Sequence, residues 1–486
     1  MSAKRQQKTP ISHIPRTEAS LVAEWDRDLY ADAPMPDKRL NPRLVNMAAH
    51  LARKPTDPIT QAFDDPADVK AAYRFIENNR VRPLHLRRAF SQKTVRDAAG
   101  HRAVLSIGDS TALSFPGAPA TEGLGLISET DVRGWIAHST LLATPEGMPI
   151  GPIAQNAWSR GDKREETREQ RRRLPIEEKE SFKWIRGTQE TRRSFAEQLP
   201  PQQRPRLIHI FDREGDVHEV IEDALCHGEG CVIRSTQDRR ARTEDGRVGG
   251  AHALVASAPL LGITNVEIMR RGDRPARTAS VEIRAIALVL EPASPHHPER
   301  VPLALTMVEA REVNAAADVK EPILWRLWNT EPAGTFEEAL IVVKYYSHRW
   351  LIEEVHLILK SGCRIEDVRF HTAERIEKAL AIYGPVAVLI LQLREWSRLE
   401  PEAPCTRILD EPTWRVLYGA VHRRLAPAGM PAPTMREAVL WIGRLGGHLG
   451  RKGDGMPGVR VLWRGWRDLC AFASLARAFG FAFRSQ

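Results

Sequence analysis

Two aspartates in this 486-residue sequence directly follow apolar runs of strand type. Asp109 comes after AVLSIG, and Asp212 comes after RLIHIF at the head of the motif DREGD. A carboxylate at a strand end can hold a divalent cation, because the sheet immobilises its backbone and Mg²⁺ favours hard oxygen ligands. The competing reading is a turn-initiating Asp with no chemistry; with 62 acidic residues in the chain, placement alone leaves both open. A third acid, Glu353, stands in a more informative setting, the stretch YYSHRWLIEEVHLILKSG (345–362), which reads as a helix. At about 100° per residue, Tyr346, Arg349, Glu353 and Lys360 fall at about 0°, −60°, −20° and −40°, within one narrow stripe. Ile352, Val355, Ile358 and Leu359 take the opposite side, as an amphipathic helix on a core requires. The polar stripe is either the solvated face of a surface helix or a metal-binding acid flanked by groups that hold a phosphate backbone.

The elements that would position these residues follow from hydrophobic periodicity. Residues 18 to about 80 read as helical: Leu40, Leu44, Val45, Met47, Ala48 and Leu51 recur at helical spacing, Pro55 and Pro58 end the run, and a second helix spans Asp68 to Glu77. Between Lys38 and Thr56 the five basic residues Lys38, Arg39, Arg43, Arg53 and Lys54 meet no acid, which fits a solvated face or a phosphate-binding one. From about residue 100 the texture is β. AVLSI (103–107), WIAHSTLLA (135–143) and MPIGPIAQNAW (148–158) predict adjacent antiparallel strands, and RLIHIF (206–211) predicts another. The charged segment GDKREETREQRRRLPIEEKE (161–180) reads as a solvated loop or helix. CVIRS, ASVEIRAIALVL and VPLALTMVEARE within 231–330 again read as strands, and helix dominates from about 335 to the end. No internal repeat is evident.

Composition narrows the class. Apolar residues at 42% and charged residues at 27% are ordinary for a globular protein, and the length suggests two to four domains. The net charge of +9 favours an anionic partner, and the last 86 residues, with 13 basic and 6 acidic side chains, hold most of it. The five cysteines are too scattered for a disulfide scaffold, and Cys226 and Cys231 lack the further ligands of a zinc site. The polar N-terminus has no signal-peptide pattern, and the apolar run Ala379–Leu393 is too short and interrupted to span a bilayer. We therefore expect a soluble, cytoplasmic and nucleoid-associated protein without a membrane partner.

With these residues in view, Tyr346-x₂-Arg349-x₃-Glu353-x₆-Lys360 is similar to the signature of the bacterial insertion-sequence DDE transposases of the IS-four group, particularly those of the Tn-five type. IGDST (107–111) and DREGD (212–216) resemble their other acid motifs. DKRLNPRLVNMAAHLA (37–52), AAYRFIENNRV (71–81), EKESFKW (178–184), RPARTASVEIR (274–284), RLGGHLGRK (444–452) and LWRGW (462–466) resemble the family in the same order, so the likeness covers about residues 22–480. It implies an α/β fold with a ribonuclease-H-like catalytic core and a β-rich insertion, flanked by helical N-terminal and C-terminal domains. The implied boundaries are 1–82 for the DNA-binding domain, 83–398 for the catalytic domain with its insertion at about 231–335, and 399–486 for the dimerisation domain. Such an insertion would account for the separation of 141 positions from Asp212 to Glu353.

The resemblance also implies roles. Asp109, Asp212 and Glu353 match the acids that hold two Mg²⁺ ions, with Mn²⁺ as a substitute. Tyr346, Arg349 and Lys360 match residues that grip phosphates, with Arg369 beyond them. Trp325 matches an aromatic that stacks on a flipped base, although Trp328 lies close enough for a shifted register. Arg43, Lys38, Arg39 and Arg74 are the N-terminal candidates for contact with the transposon end. The implied partners are double-stranded DNA, as transposon ends and target, and a second copy in a synaptic complex. The implied activity is cut-and-paste transposition through a hairpin. The rivals are a catalytically silent DNA-binding inhibitor and a ribonuclease-H-like nuclease that cuts without joining. Four positions depart: Leu357 replaces a family lysine, and His371 with Thr372 and Arg375 replace the acidic and amide residues expected after the helix.

Overall fold

In the computed structural model the described residues are 25–118, 120–127, 132–160, 167–268, 277–292, 300–317, 319–451 and 454–479. The polar N-terminus and the first part of the charged segment, residues 161–166, lie outside them.

The chain opens with helices α1 (Trp25–Tyr30), α2 (Leu40–Arg53), α3 (Ile59–Ala62), α4 (Pro66–Glu77) and α5 (Pro83–Ala98). Strands β1 (Ala103–Ser114), β2 (Gly125–Leu126), β3 (Arg133–Ala143) and β4 (Pro149–Trp158) follow. Helices α6 (Arg168–Arg173) and α7 (Phe182–Gln198) lead to β5 (Arg206–Phe211), α8 (His218–Cys226) and β6 (Gly230–Arg234). Next come β7 (Arg240–Thr243), β8 (Val248–Gly250), α9 (Ala251–Ala256), β9 (Leu260–Ile268), β10 (Arg277–Leu290), β11 (Leu303–Glu312) and β12 (Leu324–Asn329). The remainder is helical: α10 (Phe336–Ser347), α11 (Trp350–Leu357), α12 (Ala373–Leu399), α13 (Glu411–His422), α14 (Met435–Leu445) and α15 (Val459–Ala478). The protein is thus mixed α/β, with helices at both ends of a sheet-bearing middle.

Two compact units emerge. One comprises residues 94–112 and 136–353; the other comprises the described residues to Lys93, residues 113–135 and those from Glu354 onward. In the first, the sheet order is β3-β1-β5-β6-β12-β11-β10-β7-β8, with β4 on β3 and β9 on β10. β1, β5 and β6 run parallel, whereas β6–β12, β12–β11 and β11–β10 are antiparallel. The parallel strands are covered on both faces, so Val104–Ile107 and Leu207–Phe211 are buried without alternation. β6, at the start of the span expected for the insertion, pairs parallel with β5 and so continues the parallel part of the sheet. Trp184, Phe211, Ile221, Ile233, Met307 and Trp328 anchor the core between α7, α8 and these strands.

The second unit is helical apart from short strand segments. α2 buries Leu44, Val45, Met47, Ala48 and Leu51, as its periodicity predicts. α4 starts at Asp65, whose side chain accepts the Ala67 amide at 2.7 Å, with Pro66 at the first helical position. The Trp466 indole on α15 donates to the Ala52 carbonyl on α2 at 2.8 Å, which ties α2 to α15. α12 is long and apolar enough to cross a membrane, but 89% of its most apolar window is buried among neighbouring helices.

Two expectations are corrected. Asp109 lies inside β1, which continues to Ser114, because the polar residues after it still pair in the sheet. The single helix predicted over 345–362 is broken. The amides of His348 and Arg349 bond to the carbonyls of Tyr345 and Tyr346 at 3.1 and 3.0 Å, three residues back rather than four, which closes α10 before α11 begins. Beyond Leu357 the chain widens into a π-helical turn, Ile358–Gly362, closed by Cys363 N–H to Ile358 O at 2.6 Å. Overwinding before Glu353 and underwinding after it replace the even angular steps that the sequence suggests.

Candidate metal and phosphate site

The register of β1 and β5 brings the two aspartates level. Ile107 pairs with Ile210 on the parallel neighbour, and the same offset places Asp109 opposite Asp212. Two glycines permit this. A Cβ on Gly108 would lie 2.8 Å from the Phe211 ring, and one on Gly215 would lie 2.6 Å from the Phe211 Cβ, so both close approaches to Phe211 need a missing side chain. Asp212 itself caps the short 3₁₀ turn Arg213–Gly215, its Oδ1 accepting the Glu214 amide at 2.9 Å.

Arg349 joins the third acid to this pair. Its guanidinium forms an ion pair with Glu353 one helical turn ahead, while Nη1 stands 3.5 Å from Asp109 Oδ2. Asp109 also accepts the Ser110 amide at 2.7 Å. Burial pushes the Asp109 carboxyl up to about 7; Arg349 opposes this, whereas the charges of Asp212 and Glu353 reinforce it. Burial likewise raises Asp212, against the Glu214 amide, Arg349 and Lys183. The Arg349 guanidinium is held above its ordinary range: burial works against its charge, but Glu353, Tyr346 and Asp109 outweigh it. Asp109 thus feels the charge of both other acids, while Arg349 pairs with it and with Glu353 and acts on Asp212 as well.

Their oxygens are the hard donors that Mg²⁺ prefers. Among the described residues, no three His, Cys, Asp or Glu side chains stand close enough together to ligate one ion as placed. Arg349 lies between Asp109 and Glu353 in the position of a counter-cation. The donor chemistry fits a divalent ion, and the raised Asp109 marks the charge that such an ion would relieve.

Aromatic and basic side chains flank the acids. Trp325 packs edge-on to Tyr346, with ring centroids 5.1 Å apart and planes at 70°. Trp325 is half-buried, whereas Trp328 is wholly buried beneath Arg239 at 5.0 Å from its ring. Of the two tryptophans, only Trp325 has a face to offer a ligand. Burial raises the Tyr346 hydroxyl, opposed by Arg349 and Arg234.

Arg234 is a site residue that the motif pattern does not single out. It ends β6, bonds to the Leu324 carbonyl at 3.2 Å and lies beside Tyr346. Its signal is positional: a basic residue at the carboxyl end of a parallel strand next to the acid-bearing one. Lys183 is the other, paired with Glu214 at 2.7 Å and near enough to Asp212 to lower it.

The remaining candidates belong to the helical unit. Lys360 sits on the π-helical turn, and Arg369 is exposed, its guanidinium 3.4 Å from where a Cβ on Gly117 would lie. Leu357 is the last residue of α11, and Thr372 precedes α12. Arg43, Lys38, Arg39 and Arg74 are all exposed. The acid-free basic stretch is not free of acids in space. Arg39 pairs bidentately with Asp37, and buried Arg53 together with Lys54 converges on Asp64, at 2.5 and 2.7 Å.

Residues 22–81 match a family model described as transposase DNA-binding, and residues 386–483 match one described as the transposase Tn5 dimerisation domain. The chain is therefore a transposase, with DNA and a second copy of itself as partners. It belongs to the Tn5-like transposases of the IS4 family.

Proposed function

We propose that this transposase cuts and joins DNA ends at the acid cluster of β1, β5 and α11. The observation that carries the reading is the buried Asp109, which feels the charges of Asp212 and Glu353 and shares Arg349 with Glu353. Like charges gathered in a buried place carry an electrostatic cost that a bound divalent ion would offset, which is the pattern of a functional site. The sheet order β4-β3-β1-β5-β6, with β1, β5 and β6 parallel, supports a ribonuclease-H-like core, and β7 to β12 supply the β-rich insertion.

Asp109, Asp212 and Glu353 would hold two Mg²⁺ ions, whose chemistry is to activate the attacking oxygen and to stabilise the leaving one. Arg349, released from its bridging position, Arg234 and the Tyr346 hydroxyl would bind the phosphates flanking the cut, and Lys360 and Arg369, in the helical unit, would contact DNA phosphates. Trp325 would stack on an extruded base, which its half-open face suits whatever the base. Water nicks one strand, the freed 3′-hydroxyl attacks the opposite strand to form a hairpin, and water reopens it. The 3′-hydroxyl then joins target DNA. Arg43, Lys38, Arg39 and Arg74 would contact the transposon end in the N-terminal domain, and the C-terminal domain would pair the subunits in the synaptic complex.

Incubation with Mg²⁺ and DNA carrying the cognate inverted repeats tests this reading. Wild type yields hairpin and strand-transfer products, while Asp109→Ala, Asp212→Ala and Glu353→Ala yield none. Continued cleavage by all three variants would place the chemistry elsewhere, and cleavage by wild type without joining would make the protein a nuclease.

A further inference from the structure

The motif DREGD carries a second aspartate that the proposed chemistry leaves unused. Asp216 closes the 3₁₀ turn that Asp212 opens, its amide bonding to the Arg213 carbonyl at 3.3 Å. Its side chain is 1% exposed, so its charge must be matched inside the fold. Oδ2 accepts both the backbone amide and the hydroxyl of Thr236, at 2.7 and 3.0 Å, and Oδ1 pairs with the Arg239 guanidinium.

Those partners lie on the arm that holds the other half of the site. Thr236 is two residues past Arg234. The amide of Ser235 bonds to the Arg326 carbonyl at 2.7 Å, and Arg234 Nη2 bonds to the Leu324 carbonyl at 3.2 Å, so the two bonds grip β12 on either side of Trp325. Arg239 in turn lies over Trp328, also on β12. One buried carboxylate therefore ties the turn bearing Asp212 to the strand bearing Trp325 and to Arg234.

We propose that Asp216 is a positioning residue that locks the acid turn to the Arg234–Trp325 arm, and that hairpin formation depends on this lock while the first nick does not. This rests on the proposed function. The turn keeps a second tie, Lys183 to Glu214 at 2.7 Å, so Asp212 stays in place when the lock is lost. Below the turn the arm is joined to β5 by the β5–β6 ladder, which runs as far as Phe211 and Ile233, and Arg234 and Ser235 bond to β12; beyond that ladder the bonds of Asp216 carry the link from the turn to Thr236 and Arg239. Nicking does not use Trp325, whereas hairpin closure needs the extruded base to meet it at the correct distance from the acids.

The test uses the full-length protein with Asp216→Asn, which keeps the size and one acceptor for Thr236 but removes the charge facing Arg239. With Mg²⁺ and end DNA, we expect first-strand nicking within about threefold of wild type and the hairpin-to-nick ratio to fall by about tenfold or more. 2-Aminopurine, placed in turn at the terminal positions, should brighten less on binding the variant than on binding wild type. Arg239→Met, which breaks the lock from the other side, should behave alike, and Arg239→Lys should recover part of the ratio. If Asp216→Asn fails to melt cooperatively, the Arg239 pair decides. A wild-type hairpin ratio in the folded variants, or equal loss of nicking and hairpin, overturns the lock. Absence of hairpins from wild type overturns instead the function on which it rests, and retention of hairpins by Trp325→Ala removes the stacking role.

Discussion

Replacing Asp109 by Asn probes the crowding of the acids without any substrate. Burial, reinforced by the charges of Asp212 and Glu353, pushes the Asp109 carboxyl from 3.8 up to about 7. A carboxyl whose folded-state pKa is raised leaves stability intact below its unfolded value and removes it as the pH rises through the folded one. The affected window is therefore about pH 4 to 7. At about 1.4 kcal/mol per pH unit, the folded state gives up roughly 4 kcal/mol across it. Asn is neutral throughout, so the variant escapes this loss.

Melting should be followed from pH 4.5 to 8 in a chelator-containing buffer. Wild type and Asp109→Asn should melt close together at the acid end, where both side chains are uncharged. At pH 8 the variant should melt higher, by on the order of 5–10 °C for a cooperative unit of a few hundred residues. Other titrating groups are common to both proteins and cancel in the difference. Millimolar Mg²⁺ should then raise the wild type more than the variant and narrow the gap. A gap of the same size at every pH would refute the burial and like-charge account of Asp109, and with it the crowding on which the site is built.

The two tryptophans of β12 should separate cleanly. Trp325→Ala should leave melting and first nicking near wild type while suppressing hairpins on a gel; Trp328→Ala should instead cost about 3–5 kcal/mol of stability in urea unfolding, as buried aromatic truncations do. In the N-terminal region, Arg43→Ala should weaken binding to end DNA and lower the salt slope by about one, read by fluorescence anisotropy. Arg53→Ala should act through stability, because Arg53 is buried on Asp64 and Ser474. On α15, Phe472 and Leu475 are exposed apolar residues within the segment matching the dimerisation domain, so Phe472→Asp with Leu475→Asp should shift sedimentation of the DNA complex towards one subunit per end.

What the sequence reveals and what it conceals divide along physical lines. β5 is legible residue for residue as RLIHIF because a parallel strand buried on both faces has no polar alternation to blur its ends. α2 and α4 are legible from periodicity and breakers, although α4 starts at Pro66, capped by Asp65, two residues before the expected Asp68. The break in the signature helix is not legible, because it lies in i to i+3 amide bonding at His348 and Arg349, residues with no helix-breaking tendency of their own. The basic stretch misleads for a related reason: Asp64 lies ten residues beyond Lys54 in sequence and meets it only in the fold. Arg234 and Asp216 are hidden most deeply, since each matters through a partner about 20 or more residues away. The same holds for the acid pair. Nothing near Asp109 in sequence announces Asp212, yet the register of β1 on β5 sets them level, and Arg349 then links Glu353 to Asp109. Motif spacing within one element survives translation into space only while that element is regular, whereas pairing between elements is set by register. That is why the acids carry further, as a reading of this chain, than the helix face on which one of them was expected to sit.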